Sequence, residues 1–229
     1  MYTLHIGNKN YSSWSLRPWV LMTTLAIPFE ERLHVFGPGF SAKAAGSPSG
    51  KVPCLVDDGL QVWDSFAIAE YLAERHPGVW PAEAKARAWA RCAAAEMHSG
   101  FFALRNHCSM SCGIRLRRAS TPPALAADLA RLAELWSDGL ARFGGPYLAG
   151  RDFTAVDAFF CPVAFRIQTY GLQLPPAAQQ YAQRLLALPA MQRWYEAALV
   201  EPWRDEPHEA EIAAEGTVTA DHRRQAATA

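Results

Sequence analysis

The sequence predicts an α/β N-terminal domain followed by an all-helical C-terminal domain. Strand and helix signals alternate through the first 78 residues, whereas beyond Pro81 the apolar residues recur with the period of 3.6 that is typical of helices. We therefore place the first domain at residues 1–78, a linker at 79–83 and the helical domain at 84–200. Residues 201–229 carry seven acidic and three basic side chains and few large apolar ones, which predicts an acidic, flexible tail.

The N-terminal domain begins with a strand, a helix and a second strand. Short β-rich segments at residues 2–6 and 29–35 flank a helical stripe at 15–26. A loop rich in Gly, Pro and Ser then leads to two further β-rich segments, which are separated by Asp57-Asp58-Gly59, a strong hairpin signal. Ser65 begins the next helix. This order of elements predicts a small four-stranded mixed sheet.

The C-terminal domain is expected to contain five helices with the same 3.6-residue period. The first is long, with apolar positions from Ala86 to Leu104, and the second begins at Pro122-Pro123. The others are expected from Thr154 to about Tyr170 and from starts near Pro176 and Pro189. Thr154 with Asp157 resembles a capping box, which we interpret as architectural.

The charge and the cysteine content exclude several function classes. The 22 Lys and Arg residues cancel the 22 Asp and Glu residues, whereas a nucleic-acid-binding protein normally shows a basic excess. No apolar run approaches the roughly 18 residues that span a bilayer, and no secretory signal is visible, so we expect a cytoplasmic protein without a membrane or nucleic-acid partner. The five cysteines are scattered and odd in number, so we expect reduced thiols rather than disulfides or a metal site.

The segment from Asn10 to Trp19 connects the first strand to the first helix and contains Ser12, Ser13 and Ser15. Free backbone N–H groups and the positive end of the helix dipole favour an anion at a helix N-terminus. A serine hydroxyl in this position can stabilise a thiolate by donating a hydrogen bond. Serine is also a preferred N-cap residue, so the pattern by itself leaves simple capping open.

Two further turns carry candidate ligand-binding residues. Pro53 follows Lys51 and Val52 at the start of a strand, where it is either a trans edge proline or a cis proline at a tight turn. A cis bond would leave the Val52 backbone free to pair with a peptide-like ligand. Asp64 and Ser65 lie where the hairpin passes into the next helix. Ser65 offers donors to a carboxylate and Asp64 can accept from an ammonium group, but Asp-Ser is also a good helix cap.

Taken together and in this order, these motifs resemble those of the cytosolic glutathione transferase family. The likeness covers about residues 2–200 and is greatest to serine-type members, in particular zeta-class-like bacterial ones. In zeta-class enzymes a Ser-Ser-Cys-Ser stretch precedes an Arg on the first helix; here Ser12-Ser13-Trp14-Ser15 precedes Arg17. The resemblance implies a thioredoxin-like N-terminal domain, an all-α C-terminal domain and glutathione as co-substrate, without a metal.

The resemblance also implies the residues of the site. Ser12 would be the catalytic residue, whose hydroxyl faces the glutathione sulfur, and Ser13 is the alternative one position along. The backbone of Val52 would pair with the cysteinyl part of glutathione, and Asp64 would hold the γ-glutamyl end. The implied glutathione-binding residues are Ser13, Lys51, Val52, Pro53, Asp64 and Ser65, with Pro53 cis, Lys51 at the glycyl carboxylate and Ser65 at the γ-glutamyl carboxylate.

A second pocket, for the electrophile, would come from the helical domain. Arg115, Arg117 and Arg118 form a basic cluster after the first long helix. This cluster is either a solvated helix end or a port that attracts acidic substrates. Trp14 stands where the zeta-class motif has Cys, which leaves the zeta-class isomerase activity open.

These expectations describe a glutathione transferase that attacks small electrophiles through a thiolate stabilised by Ser12. The family likeness further implies a homodimer with a role in detoxification. Two alternatives stay open. The first is glutathione-dependent cis–trans isomerisation, in which the thiolate adds and leaves again. The second is a non-catalytic glutathione-binding or scaffold protein, because one fold hosts many functions.

Overall fold

A four-stranded mixed sheet forms the N-terminal domain in the computed structural model, which describes residues 1–224, with the backbone alone for residues 44 and 45. The strands are β1 (Tyr2–Gly7), β2 (Phe29–His34), β3 (Cys54–Asp57) and β4 (Leu60–Val62), and the helices are α1 (Ser13–Thr24) and α2 (Ser65–Ala73). The strands lie in the order β2-β1-β3-β4; β2 is parallel to β1, and the other pairs are antiparallel. The predicted order of elements and the mixed sheet are confirmed.

The rest of the described chain is helical apart from two short strands. Its helices are α3 (Ala84–Ser99), α4 (Phe102–His107), α5 (Pro123–Phe143), α6 (Ala155–Tyr170), α7 (Pro176–Leu186), α8 (Pro189–Val200) and α9 (Glu206–Ala214), and its strands are β5 (Ile114–Arg118) and β6 (Gly216–Asp221). Proline occupies the first position of α5, α7 and α8, where its missing N–H costs nothing. The starts predicted from these prolines are therefore confirmed. No helix within residues 1–224 is long and apolar enough to cross a membrane.

The first long helix is shorter than predicted. It ends at Ser99, because Gly100 is extended and Phe101 has a left-handed backbone with φ of 52°. A Cβ atom on Gly100 would lie 2.8 Å from the carbonyl oxygen of Glu96, so glycine allows the close approach that turns the chain. The apolar period continues through this break into α4, and for that reason the period alone predicted one continuous helix.

The helix α6 is the centre of the helical region, since α1, α3 and α7 all pack against it. Its N-terminus is fixed by the capping box of Thr154 and Asp157. The buried Asp157 carboxylate accepts hydrogen bonds from the backbone N–H of Leu148 (3.0 Å), the backbone N–H of Thr154 (3.0 Å) and the hydroxyl of Tyr181 (2.7 Å). Burial nevertheless raises the pKa of Asp157 to about 6. This box is architectural, as predicted.

The C-terminal segment differs from the expected flexible tail. Residues 206–214 form α9, and β6 pairs antiparallel with β5, so the helical region also contains a two-stranded ribbon. Arg223 pairs with Glu209 (2.6 Å) and Asp221 (2.8 Å), and Glu209 accepts from the hydroxyl of Tyr11 (2.7 Å). The prediction was wrong because the acidic side chains find partners far away in sequence. Residues 225–229, also assigned to the tail, lie outside the described residues.

Candidate active site

A cleft of about 610 Å³ opens at the N-terminus of α1. The N-terminal domain contributes the turn from Tyr11 to Trp14 and the segment from Ser49 to Val52, whereas the helical region contributes Arg105 and Arg166. A smaller neighbouring cleft of about 420 Å³ is lined by Trp14, Ser49, Lys51, Val52, Pro53, Trp63 and Asp64. Trp14 lines both clefts and thus lies between them. The structure therefore brings most of the sequence-predicted site residues together around one tryptophan.

Ser12 is the N-cap residue of α1, but its side chain makes no capping hydrogen bond. Its hydroxyl instead donates to Ser15 Oγ at 2.7 Å, and Ser15 Oγ also accepts from the backbone N–H of Gly7 at 3.1 Å. Ser12 is 5% exposed and lines the larger cleft, as does Ser13. Simple capping therefore does not account for the Ser12 side chain, which is held at the rim of a helix N-terminus.

The peptide bond between Val52 and Pro53 is cis. Of the two forms that the residue pattern left open, the one implied by the resemblance is therefore present. Among the described residues, neither the backbone N–H nor the carbonyl of Val52 has a hydrogen-bond partner. Val52 lines both clefts. An unpaired peptide group at the edge of a cleft can bind an extended peptide in the manner of an added strand.

Asp64 is the N-cap residue of α2, and its two carboxylate oxygens have different partners. Oδ1 accepts from the backbone N–H of Phe66 at 3.0 Å, and Oδ2 lies 3.2 Å from Nε2 of His98. The hydrogen bond with His98 lowers the pKa of Asp64, aided by that of Phe66 and partly opposed by burial. The carboxylate faces the smaller cleft as a charged group. A helix cap and an ammonium-binding group are thus compatible in this residue.

Ser65 is placed differently from the other predicted residues. It is 1% exposed, lines neither cleft, and accepts a long hydrogen bond of 3.4 Å from Nη1 of Arg17. Arg17 is itself buried, with its guanidinium carbon 4.1 Å from the centre of the Trp14 ring. Its Nε atom has no hydrogen-bond partner among the described residues. Arg17 and Ser65 therefore form a buried donor pair beneath Trp14.

Lys51 and Ser13 complete the predicted set. The Lys51 side chain is exposed at the mouth of both clefts. The backbone of Lys51 is fixed by the hydroxyl of Ser47, which donates to its carbonyl at 2.6 Å. Ser13 follows Ser12 directly on the first turn of α1 and is 8% exposed. Both residues can therefore reach a ligand in the larger cleft.

Arg166 is a functional candidate that the sequence analysis missed. It is the one Arg or Lys residue of α6 and is 4% exposed, yet it lines the larger cleft. A cation in a helix whose residues are mostly apolar was the available signal, because a buried charge requires a partner or a function. The predicted basic cluster does not line the cleft: Arg118 pairs with Glu215 at 2.8 Å and Arg115 donates to carbonyls of its own loop.

The cysteines do not contribute to the cleft. Cys54, Cys108, Cys112 and Cys161 are buried, and none of the five lines the larger cleft. Burial raises the pKa of the Cys54 thiol. Burial also raises the pKa of the Cys108 thiol, to about 11, and a raised pKa makes both thiols poor nucleophiles. Within residues 1–224 no group of three His, Cys, Asp or Glu side chains could hold a metal ion. The polar groups that the larger cleft offers are hydroxyls, backbone groups, guanidinium groups, the ammonium groups of Lys43 and Lys51 and the imidazole of His208.

The N-terminal domain matches a known family model. Residues 11–75 match the N-terminal domain of glutathione S-transferase. The theta class glutathione S-transferase from Xanthomonas axonopodis pv. citri, solved with glutathione bound, is 25% identical over 85% of this chain and 96% of its own, with a TM-score of 0.62. A glutathione transferase homolog from Burkholderia with bound glutathione shares the fold, with 24% identity over 86% and 97% of the two chains and a TM-score of 0.65.

Two curated relatives carry different names. The stringent starvation protein A homolog of Pasteurella multocida is 25% identical over 62% of this chain, and the probable maleylacetoacetate isomerase of Caenorhabditis elegans is 31% identical over 57% of it. The chain spans 64% and 62% of the lengths of these relatives, which is less than two thirds. The family-model match and the solved structures together show the fold of glutathione transferases, with a thioredoxin-like N-terminal domain and a helical C-terminal region. They support a relationship of this chain to the glutathione S-transferase family.

Proposed function

We propose that this protein is a glutathione transferase in which the Ser12 hydroxyl stabilises the thiolate of glutathione for attack on small electrophiles. The observation that carries the proposal is the Ser12 side chain, which makes no capping bond and lies at a helix N-terminus beside the unpaired peptide group of Val52. A peptide bound along Val52 brings its thiol toward the helix N-terminus, where an anion is favoured.

The free energy needed to lower the pKa of the glutathione thiol is small. A free thiol has a pKa near 8.5, so only a few per cent is ionised at neutral pH. Lowering this pKa by about two units requires about 2.7 kcal/mol, which one charge-assisted hydrogen bond and the helix dipole can supply. In the structure the Ser12 hydroxyl donates to Ser15 Oγ, which also accepts from the backbone N–H of Gly7. In our proposal the Ser12 hydroxyl rotates and donates to the sulfur instead, and because a hydroxyl both donates and accepts, Ser15 can then donate to Ser12 Oγ.

The remaining parts of glutathione match groups around Trp14. Val52 pairs with the cysteinyl backbone, and the charged Asp64 carboxylate accepts from the γ-glutamyl ammonium group. The γ-glutamyl carboxylate is bound near Ser65, with Arg17 as the cation behind it; the hydrogen bond between these two side chains supports this assignment. Lys51 binds the glycyl carboxylate. Three of these assignments join opposite charges, and the pairing with Val52 joins neutral backbone groups.

We expect Asp64→Asn to raise the KM for glutathione about tenfold while kcat changes little, because one charged hydrogen bond to the ammonium group is weakened. Asparagine still caps α2, so the fold is retained. Steady-state kinetics with varied glutathione checks this.

The matched control is Asp58→Asn on the exposed hairpin turn, where the side chain is 91% exposed. Since the Asp64 pKa is lowered, its charge and hence this KM should stay constant between pH 5 and 8. An unchanged KM in Asp64→Asn would exclude Asp64 from the site.

Isomerisation is the second candidate, and the 31% identity to a protein named probable maleylacetoacetate isomerase favours it. An isomerase regenerates glutathione, whereas a transferase consumes it. The concentration of free thiol during turnover therefore separates the two. A binding or scaffold role is the third candidate, because of the relative named stringent starvation protein A homolog. Failure to bind immobilised glutathione would favour that role over both enzymes.

We further propose a cytoplasmic homodimer with a role in detoxification. The glutathione transferase fold supports this assembly, in which the N-terminal domain of one protomer packs on the helical domain of the other. Multi-angle light scattering is expected to give twice the mass of one chain at micromolar concentration. A mass equal to one chain would contradict the dimer without affecting the glutathione site.

A further inference from the structure

Two arginines lie against the Trp14 ring, and a third lines the larger cleft. The guanidinium carbon of Arg17 lies 4.1 Å from the ring centre and that of Arg105 lies 5.4 Å from it, and Arg166 faces the same cleft from α6. Burial, together with the charges of Arg166 and Arg105, lowers the pKa of Arg17 to about 9, and burial lowers the pKa of Arg166 to about 10. The three positive charges are therefore close enough to repel one another.

These arginines lack carboxylate partners, unlike two other arginines of the chain whose side chains are buried. Arg118 and Arg223 are paired with Glu215 and Glu209. Within residues 1–224, neither Arg105 nor Arg166 forms an ion pair. Arg105 donates one long bond of 3.4 Å to the carbonyl of His98, and Arg166 donates its Nε–H to the carbonyl of Cys108 at 2.7 Å. A guanidinium group has five donors, so most donors of this pair remain available.

Arg17 and Arg166 are buried and Arg105 is half-buried. Cations that are removed from water without a partner are costly, and a bound anion lowers this cost. In the proposed glutathione complex, the γ-glutamyl carboxylate beside Ser65 is the anion that pairs with Arg17. Arg105 and Arg166 line the larger cleft, which Arg17 does not, together with the apolar side chains of Phe36, Phe40 and Met110. The cleft therefore combines apolar walls with two available guanidinium groups.

We propose that Arg105 and Arg166 bind a carboxylate group of the electrophile, so that the protein selects small electrophiles with an apolar body and a carboxylate. This inference rests on the proposed transferase function. The planar fork of a guanidinium group matches a carboxylate with two hydrogen bonds. The carboxylate remains unchanged in the reaction and positions the reacting carbon over Ser12. The glycyl carboxylate of glutathione is the other possible source of the anion.

The test uses two matched aryl chlorides, 4-chloro-3-nitrobenzoate and 4-chloro-3-nitrobenzamide. In both, the thiolate forms a carbon–sulfur bond at the chlorinated carbon and chloride leaves with its bonding pair, so the acid and the amide differ only in the group offered to the arginines. The values of kcat/KM are divided by the uncatalysed rate constant for each compound. This division removes the difference in intrinsic reactivity.

For the wild type we expect a normalised preference for the benzoate of about tenfold or more, the usual effect of a charge-assisted hydrogen bond. Arg105→Met should abolish this preference, and Arg105→Lys should keep part of it. Arg117→Met, at an exposed position of β5 outside the cleft, is the matched control and should behave as wild type. An equal loss on both compounds, or a rise in the KM for glutathione with the preference intact, would overturn the proposal.

A binding measurement separates this proposal from the transferase function. Isothermal titration with the unreactive 3-nitrobenzoate and 3-nitrobenzamide needs no turnover. If neither aryl chloride reacts but the benzoate binds at least tenfold more tightly to wild type than to Arg105→Met, the anion subsite is supported and the transferase function is wrong. If both chlorides react at equal normalised rates and the two unreactive compounds bind equally, the transferase function stands and the subsite is wrong.

Discussion

Replacing Ser12 by alanine is expected to lower kcat/KM for conjugation about 30- to 100-fold. The reason is the loss of one hydrogen bond to the thiolate, worth about 2–2.7 kcal/mol when one partner is charged. Because the bound thiol then ionises at higher pH, the rate of the variant should recover as the pH rises toward 9. Steady-state rates across this pH range measure both effects.

The matched control is Ser13→Ala, the adjacent hydroxyl on the same helical turn. It should change kcat/KM less than about threefold, because the sulfur bonds to Ser12 in our proposal. If Ser13→Ala produces the loss and Ser12→Ala does not, the hydroxyl has been assigned one residue too early. Ser15→Ala should show a smaller loss than Ser12→Ala, since Ser15 acts on the sulfur only through its 2.7 Å bond to Ser12.

The largest expected effect on stability comes from Asp157→Ala, which should lower the free energy of unfolding by about 3 kcal/mol or more. The substitution leaves the buried N–H groups of Leu148 and Thr154 and the hydroxyl of Tyr181 without their acceptor. Chemical denaturation followed by circular dichroism measures the free energy of unfolding of the two proteins. A loss below about 1 kcal/mol would show that the capping box does not hold α6 in place.

The pH dependence of stability gives a second readout for the same residue. The folded-state pKa of about 6 lies above the usual value of 3.8, so between these values the folded protein binds the proton that the unfolded chain releases. The stability contributed by this carboxyl group therefore falls as the pH rises from 4 to 6. Asp157→Asn cannot ionise at this position, and its stability should lack this component. Equal pH dependence in the two proteins would contradict the raised pKa.

Much of the fold follows from local sequence signals. The hairpin around Asp57-Asp58-Gly59 has φ values of 45° at Asp58 and 87° at Gly59, which Asp and Gly adopt readily. The prolines at positions 123, 176 and 189 mark helix starts because their missing N–H is tolerated there. These features depend on a few neighbouring residues, and a single sequence therefore predicts them.

Other features depend on partners that are distant in sequence. The C-terminal segment is ordered because Arg223 meets Glu209 and because β6 pairs with β5, about a hundred residues earlier. Its charge pattern alone indicated a solvated tail. The same reason hides Arg166, since only the fold places it in the cleft with Arg105. The burial of Ser65 against Arg17 is equally non-local.

The central claim is that the Ser12 hydroxyl lowers the pKa of the glutathione thiol. It is tested most directly by titrating the ultraviolet absorbance of the thiolate in the binary complex of glutathione with wild type and with Ser12→Ala. In the wild type we expect the bound thiol to have a pKa about two units below the value near 8.5 of a free thiol. In Ser12→Ala we expect this pKa to return most of the way to the free-thiol value. A bound thiol that titrates like free glutathione in the wild type, or at the same lowered pH in both proteins, would contradict the claim.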